Sequence, residues 1–258
     1  MRSVSIKIAL FLIIPAVLII AYLSADTFSL SQTTESDNSR LGKQVLIPEG
    51  DYYVGSDQKE DELPLRIMHF KSFSIDIHPV TSRQYAVFLL KSNYTTEGTF
   101  NKNDAIKNPY FPAGNITYKD ASAYAKYYQM RLPTEWEWEI AARSLKKENI
   151  HAWGNKIGTD VCNSLVNIEN LFGMTPVFNY SPNELGLYDM AGNVFEWTTS
   201  LYPTRFILGN NYSKYTLLVI RGGAWNSLIN DITVSARSPF PANRHLPWIS
   251  FRCVKDAP

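Results

Sequence analysis

The clearest pattern in the chain is an uncharged apolar run at residues 8–23, with Arg2 and Lys7 ahead of it. This arrangement predicts an export signal, because positive charge before an apolar segment keeps that end in the cytoplasm. The run is shorter than the roughly 20 residues that a spanning helix needs, and Pro15 interrupts it. A signal peptide cleaved after Ala25 and an uncleaved membrane anchor both remain open.

The composition changes twice after this run. Residues 26–41 are rich in Ser, Thr, Asp and Gln, which predicts a flexible linker. From residue 42 onward, roughly 210 residues remain, a length that one domain with a single core can accommodate. The predicted organisation is a signal peptide or signal anchor at 1–25, a linker at 26–41 and one domain at 42–258. If the signal is not cleaved, it attaches the chain to the membrane.

Three segments show the start signals and the spacing of helices. The first begins at Thr81, and the second is predicted to be capped by Asp120. In the third, Thr134 and Glu137 fit a capping box, which gives Glu137 a structural role, as we also expect for Glu135. The spacing places Tyr85, Phe88 and Leu89 on one face of the first helix and Ala121, Tyr124 and Tyr128 on one face of the second.

Strands are predicted where β-branched and aromatic residues cluster between turn residues. Short strands mixed with helices, together with 14 prolines, predict an α+β fold with much irregular structure. The predicted strands are 44–47, 70–75, 218–221, 233–236 and 250–254.

Charge and histidine spacing narrow the function classes. A formal charge of +1 over 258 residues argues against strong attraction to nucleic acid. The histidines are too far apart for the helix pairing of zinc hydrolases, so we expect surface or packing roles for His69, His78, His151 and His245.

Residues 186–197 combine glycines, oxygen donors and aromatic rings in an order that no simple helix or strand needs. Asp189, Asn193 and Glu196 offer side-chain oxygens, and calcium takes six to eight oxygen ligands. A buried polar turn packed by Trp197 is the alternative, because Asp and Asn also satisfy turns by themselves.

Short motifs follow one another in order along the domain. They are 47–56, 73–88, 120–125, 131–143, Trp-Gly-Asn at 153–155, Thr-Pro-Val at 175–177, 186–197, Arg-Gly-Gly-Ala-Trp at 221–225, 235–238 and Phe-Arg-Cys at 251–253. This ordered set resembles the formylglycine-generating enzyme family, also called the sulfatase-modifying factor domain. The resemblance covers about residues 45–255.

The resemblance implies an irregular α+β fold with a C-type lectin-like core and little regular secondary structure. It also implies two structural calcium sites, which would tie irregular backbone together. One site would take the side chains of Asp189 and Glu196 and the carbonyls of Gly192 and Val194. The other would take the side chains of Asn163 and Glu169 and the carbonyls of Ser164 and Leu171.

The family's copper chemistry is where the resemblance ends. Its formylglycine-forming members hold copper with two cysteines shortly after the Gly-Gly motif, and Cu(I) requires soft thiolates. In this chain residues 224–236 contain no cysteine, and Ser227 stands where the first would be. We therefore expect no copper-dependent formylglycine formation.

The cysteines of this chain, Cys162 and Cys253, lie elsewhere. In an exported domain they could form a disulfide, closing a loop of about 90 residues and stabilising the fold by roughly 4 kcal/mol. A metal site built from both thiolates is the alternative.

Two classes of function fit a domain of this kind in a bacterial cell envelope, either periplasmic or anchored to the inner membrane with the domain outside the cytoplasm. One is a divergent oxidase or other modifying enzyme that acts on a peptide or small molecule. The other is a noncatalytic, lectin-like module that binds a protein, peptide or glycan. An enzyme should place ionisable residues with shifted pKa values in a cleft, whereas a binding module should expose aromatic residues and arginines.

The predicted ligand groove lies at and after the Gly-Gly motif. Arg237 could hold a carboxylate with two parallel hydrogen bonds, and an internal ion pair is its alternative role. Ser227 is either a reactive group or a filler of the position. The groove candidates are Trp197, Trp225, Asn226, Ser227, Arg237 and Ser238.

Overall fold

The structure, a computed structural model, describes residues 39–155, 161–165, 173–203, 206 and 215–257. Two compact units divide the chain, Met1–Leu41 and Gly42–Pro258. The described end of the first unit is a turn at residues 39–41. Among the described residues no helix has the length and apolar character needed to cross a membrane. The predicted export signal lies outside the described residues.

Short strands form three small sheets in the described part of the second unit. The first sheet has the order β1-β4-β9, β2 and β3 form a hairpin, and the third sheet has the order β7-β6-β5-β8 with β5 and β8 parallel. The strands are β1 (Gln44–Ile47), β2 (Gly50–Val54), β3 (Arg66–Phe70), β4 (Phe73–Asp76), β5 (Phe195–Leu201), β6 (Leu217–Arg221), β7 (Arg237–Pro241), β8 (Ile249–Ser250) and β9 (Val254–Asp256).

The helices are short, and polar side chains fix where they begin. They are α1 (Ser82–Ser92), α2 (Lys102–Lys107), α3 (Tyr118–Tyr127) and α4 (Glu135–Ala142), with 3-10 turns at Glu60–Glu62 and Ile229–Asp231. Thr81 caps α1, and Thr134 forms a capping box with Glu137 at α4, so both predicted starts are confirmed. The predicted cap of α3 is wrong. Thr117 caps this helix, and Asp120 is the third residue of its capping box.

Two large hydrophobic clusters, with a small third one around Tyr202, form the core of the described residues. One surrounds Trp138 on α4 and includes Phe73 and Ile75 of β4. The other packs α1 and α3 against the third sheet through rings such as Tyr85 and Tyr124, whose centroids are 6.1 Å apart. Helix α4 therefore sits where the first cluster meets the polar network described below.

Three strand predictions need correction. The predicted strand at 70–75 is two strands, because β3 pairs with β2 whereas β4 pairs with β1. The predicted strand at 250–254 is likewise split into β8 and β9. Residues 233–236 form no strand. The carbonyls of Val234 and Ala236 instead accept hydrogen bonds from the buried Arg221 side chain at 3.2 and 2.9 Å.

Candidate functional site

Glu139 on α4 is the centre of a buried polar network. Its Oε1 accepts hydrogen bonds from the Gly55 amide at 2.8 Å and from Arg143 Nε at 2.9 Å. Its Oε2 accepts one from Arg221 Nη2 at 2.7 Å. The side chains of Glu139 and Arg221 are fully buried, so each charge depends on the other for its solvation.

Glu135 lies one helical turn before Glu139 and extends the network on the same face. Its carboxylate pairs with Arg237 and, at 3.2 Å, with Arg221. Both guanidinium groups also lie over the Trp136 ring, at 5.5 and 5.6 Å from its centroid. Burial raises the pKa of Glu135, although the two arginines oppose that shift. The carboxylate therefore has a structural role, as expected.

The arginines of this network also hold irregular backbone in place. Arg143, Arg221 and Arg237 each also donate hydrogen bonds to main-chain carbonyls, so segments without strand partners are hydrogen-bonded to α4 through side chains. The carbonyls that accept these bonds belong to Gly55 and Asn149 for Arg143, to Val234 and Ala236 for Arg221, and to Asp61 for Arg237.

The segments held in this way line a cleft of about 570 Å³. This volume falls in the range of small-molecule sites. Most of the residues in its wall are polar or charged, although their aliphatic stems contribute much of its surface, and they include Ser56, Lys59, Glu62, Arg143, Lys147 and Asn230. Sequence reasoning missed this cleft. The motif at 47–56 suggested the family but gave no functional reading of residues 57–62.

A second, smaller depression of about 140 Å³ lies beside Asn115. Phe100, Asn108 and Phe111 line it with rings and an amide, and Asp104 and Pro247 complete this part of the wall. Trp248 follows Pro247 in the chain and packs edge-on against Trp225, with ring centroids 6.2 Å apart. This Asn115 groove shares no lining residue with the cleft at Glu62.

The Gly-Gly motif makes a close approach that side chains would prevent. Gly223 has a φ of +72°, and a Cβ there would lie 2.5 Å from Ile232 Cγ2. The Ala224 amide then donates a hydrogen bond to Ser227 Oγ at 3.0 Å. Ser227 therefore closes a turn, which is a structural role for this hydroxyl.

The groove candidates do not form one surface. Trp197 is fully buried, and its indole nitrogen donates to the Ile116 carbonyl at 2.9 Å. Arg237 forms the internal ion pair with Glu135, and Ser238 lies in β7 opposite Ile220. Of the six candidates, only Asn226 is exposed, and Trp225 is half-buried.

The oxygen-rich loop at 186–197 brings together buried oxygens that lack partners. Asp189 Oδ2, Asn163 Oδ1 and Thr175 Oγ1 have no hydrogen-bond partner among the described residues. All three residues hydrogen-bond to Asn193 through their other polar atoms. Burial raises the pKa of Asp189 to about 7. Since buried oxygens normally have partners, these residues fit a hard cation.

Glu196 has a different environment. Arg252 donates hydrogen bonds to both of its oxygens at 2.7 and 2.8 Å, and the Trp138 indole donates one to Oε2 at 2.9 Å. Three donors thus occupy this carboxylate, and Arg252 already neutralises its charge. The predicted ligands Glu169 and Leu171 lie outside the described residues.

The cysteines do not form the candidate disulfide in the structure. Cys162 and Cys253 are free, buried thiols that belong to different hydrophobic clusters. Burial raises the pKa of both thiols. Within the described ranges, no three carboxylate, imidazole or thiol side chains converge as a metal-binding group.

Comparison with protein families settles the assignment. The family described as the sulfatase-modifying factor enzyme 1-like domain matches residues 29–257. The chain belongs to this family. The structure of PvdO from Pseudomonas aeruginosa has a TM-score of 0.66 at 21% identity, covering 83% of this chain and 94% of that one. CarF has a TM-score of 0.63 at 20% identity over 84% and 98%. The predicted α+β fold of the formylglycine-generating type is confirmed.

The similar proteins include an inactive enzyme, a formylglycine-generating enzyme and a protein kinase, as their names state. The inactive Cα-formylglycine-generating enzyme 2 of Bos taurus is 27% identical over 86% of this chain and 91% of its own. The formylglycine-generating enzyme of Thermomonospora curvata is 26% identical over 82% and 93%. The serine/threonine-protein kinase Pkn1 of Chlamydia trachomatis is 31% identical over 84% of this chain, which spans only 38% of the kinase.

The buried network predicts a large effect of one substitution. Glu139→Gln should lower the free energy of unfolding by about 3–5 kcal/mol, because it leaves buried guanidinium charge without its carboxylate. For a domain of this size that corresponds to a fall in Tm of about 6–20 °C by calorimetry. Glu148→Gln, at an exposed glutamate, should change Tm by no more than about 2 °C. Equal shifts for the two variants would contradict a structural role of the network.

Proposed function

We propose that this chain is a noncatalytic binding domain that takes a peptide or small molecule in the Asn115 groove. The observation that carries the proposal is the turn closed by Ser227 and the Ala224 amide. It occupies the position where a copper-dependent relative needs its first thiolate. A hydroxyl engaged in a backbone hydrogen bond cannot replace a soft ligand for Cu(I).

The groove is lined mostly by uncharged groups, with Asp104 as the carboxylate among them, and this lining supports binding of a ligand. Asn101, Asn108 and Asn115 present amides, and Phe100 and Phe111 present rings, a combination that orients polar ligands on an apolar surface. Asp76 and His78, whose pKa values burial moves to about 6 and about 4, line neither the groove nor the cleft. The resemblance to an inactive bovine relative over most of both chains is consistent with this proposal.

The first test is chemical. The purified domain, loaded with Cu(I), should leave a sulfatase-type cysteine peptide unmodified, because residues 224–236 supply no thiolate. Mass spectrometry of the peptide checks this, with a copper-loaded formylglycine-generating enzyme as the positive control. Aldehyde product in excess of the enzyme concentration would overturn the noncatalytic proposal.

We also propose a structural calcium ion at Asp189 and Asn163. Their partnerless oxygens support it, and calcium favours such neutral and anionic oxygen ligands. Bound calcium would place a positively charged partner beside the buried Asp189 carboxylate. The Gly192 and Val194 carbonyls belong to the same loop, whereas Glu196 would contribute only beside its bond to Arg252.

Calcium removal should then lower the Tm. At pH 8, above the pKa of about 7 for Asp189, the carboxylate is ionised and buried. Because the folded-state pKa of Asp189 lies above its ordinary value, the protonated side chain stabilises the fold at low pH. This stabilisation is lost as the pH rises from the ordinary value to about 7, unless a cation replaces the proton. Thermal unfolding with EGTA or with excess calcium should differ in the wild type but not in Asp189→Asn. Superimposed wild-type curves would sink the proposal, and Asp231→Asn is the exposed control.

We further propose that the domain is exported to a bacterial cell envelope. The support is the apolar run at 8–23 behind Arg2 and Lys7. Protease added to intact spheroplasts should digest the domain if the signal remains attached, and the domain should be periplasmic if it is cleaved. A cytoplasmic reporter protein should survive the same treatment. Protection of the domain together with its absence from the periplasmic fraction would contradict export.

A further inference from the structure

One carboxylate in the cleft at Glu62 lacks the partners that its neighbours have. Glu62 is 3% exposed, and its Oε1 has no hydrogen-bond partner in the part of the chain that the structure describes. Glu135 and Glu139, in the adjoining network, each pair with two arginines. A buried charge without donors is costly, so this exception requires an explanation.

The only cation in an ion pair with Glu62 among the described residues is held weakly. Lys59 Nζ lies 3.6 Å from Glu62 Oε1, beyond hydrogen-bond distance, and donates instead to the Asn230 carbonyl at 2.7 Å. The Lys59 side chain is 41% exposed. A lysine at a solvent boundary is flexible and readily exchanged. Lys59 therefore covers Glu62 without satisfying it.

The backbone on each side of Glu62 is fixed, which keeps the carboxylate in the cleft wall. The Glu62 carbonyl accepts the Ser56 amide at 3.1 Å. Arg237 donates to the preceding carbonyl of Asp61, and Tyr202 donates its hydroxyl to the Asp61 carboxylate at 2.9 Å. These bonds tie the turn to the network on α4.

The positive groups in the same wall already have partners. Arg143 is committed to Glu139 and to the Gly55 carbonyl. The ammonium of Lys147 lies over the Tyr53 ring, 4.7 Å from its centroid. The group in this wall that most lacks a partner is thus the Glu62 carboxylate, an anionic acceptor that lines the cleft of about 570 Å³.

We propose that this cleft is a second binding site, in which a cationic N–H donor of the ligand displaces Lys59 and pairs with Glu62. The ligand class is a primary ammonium, carried either by a free amine or by a lysine side chain of a peptide. Charge-assisted hydrogen bonds are the strong ones, and the buried carboxylate favours a charged partner. This site is separate from the Asn115 groove, and its success or failure is independent of the function proposed for that groove.

The test is calorimetric titration with two probes on the full domain. Cadaverine represents a free amine, and acetyl-Ala-Lys-Ala-amide represents a peptide side chain. One or both should saturate a single site, and acetyl-Ala-Gln-Ala-amide should not. Glu62→Gln should weaken binding by about tenfold or more. Glu60→Gln removes the same charge from an exposed position in the same turn and should leave affinity within about twofold.

A third variant separates this proposal from a merely structural Glu62. Lys59→Met removes the competing cation and should tighten binding of the same probe, whereas a purely structural Lys59–Glu62 pair predicts no such gain. Circular dichroism establishes that each variant is folded. Absence of saturation by both probes in the wild type and in Lys59→Met would overturn the proposal. Equal weakening by Glu62→Gln and Glu60→Gln would also overturn it, because it would indicate only a general charge effect.

Discussion

The fold depends on placing two carboxylates, Glu135 and Glu139, inside the protein on one face of a helix of 8 residues. Each buried charge is stable only if guanidinium groups pair with it, and those groups come from β6, from β7 and from the end of α4 itself. Such buried pairs add little net stability over apolar packing, but breaking one is costly. Their main consequence here is positional. Once Arg143, Arg221 and Arg237 are fixed by glutamates, their other donors fix loops.

This constraint explains how a domain with short strands holds a defined cleft. Residues 55–61 and 234–236 have few ladder hydrogen bonds, so their carbonyls need other donors. The arginine side chains supply those donors. The same principle recurs at Glu196, where Arg252 joins the third sheet to the loop at 186–197 through the Tyr188 carbonyl. Polar side chains thus supply the backbone hydrogen bonds that long paired strands supply in a β-sandwich.

The sequence predicted those features that depend on neighbouring residues. Thr134 and Glu137 are three residues apart, so their capping box could be read directly. β5 was missed because its buried positions include Glu196 and Thr198, which breaks the apolar alternation that signals a strand. Arg237 and Glu135 are 102 positions apart, so local pattern could offer an ion pair for Arg237 but not its partner. Glu62 gave no local signal, since only the folded wall around it makes its lack of a partner visible.

The network on α4 holds the walls of the cleft. Hydrogen exchange of backbone amides, followed by mass spectrometry, tests it most directly in Glu139→Gln against the wild type. We expect faster exchange concentrated in residues 55–62 and 230–236, with the α1 and α3 segments of the other hydrophobic cluster nearly unchanged. Uniformly faster exchange over the whole domain would contradict this role of the network. Unchanged exchange of the Gly55 amide, which donates a hydrogen bond to Glu139, would also contradict it.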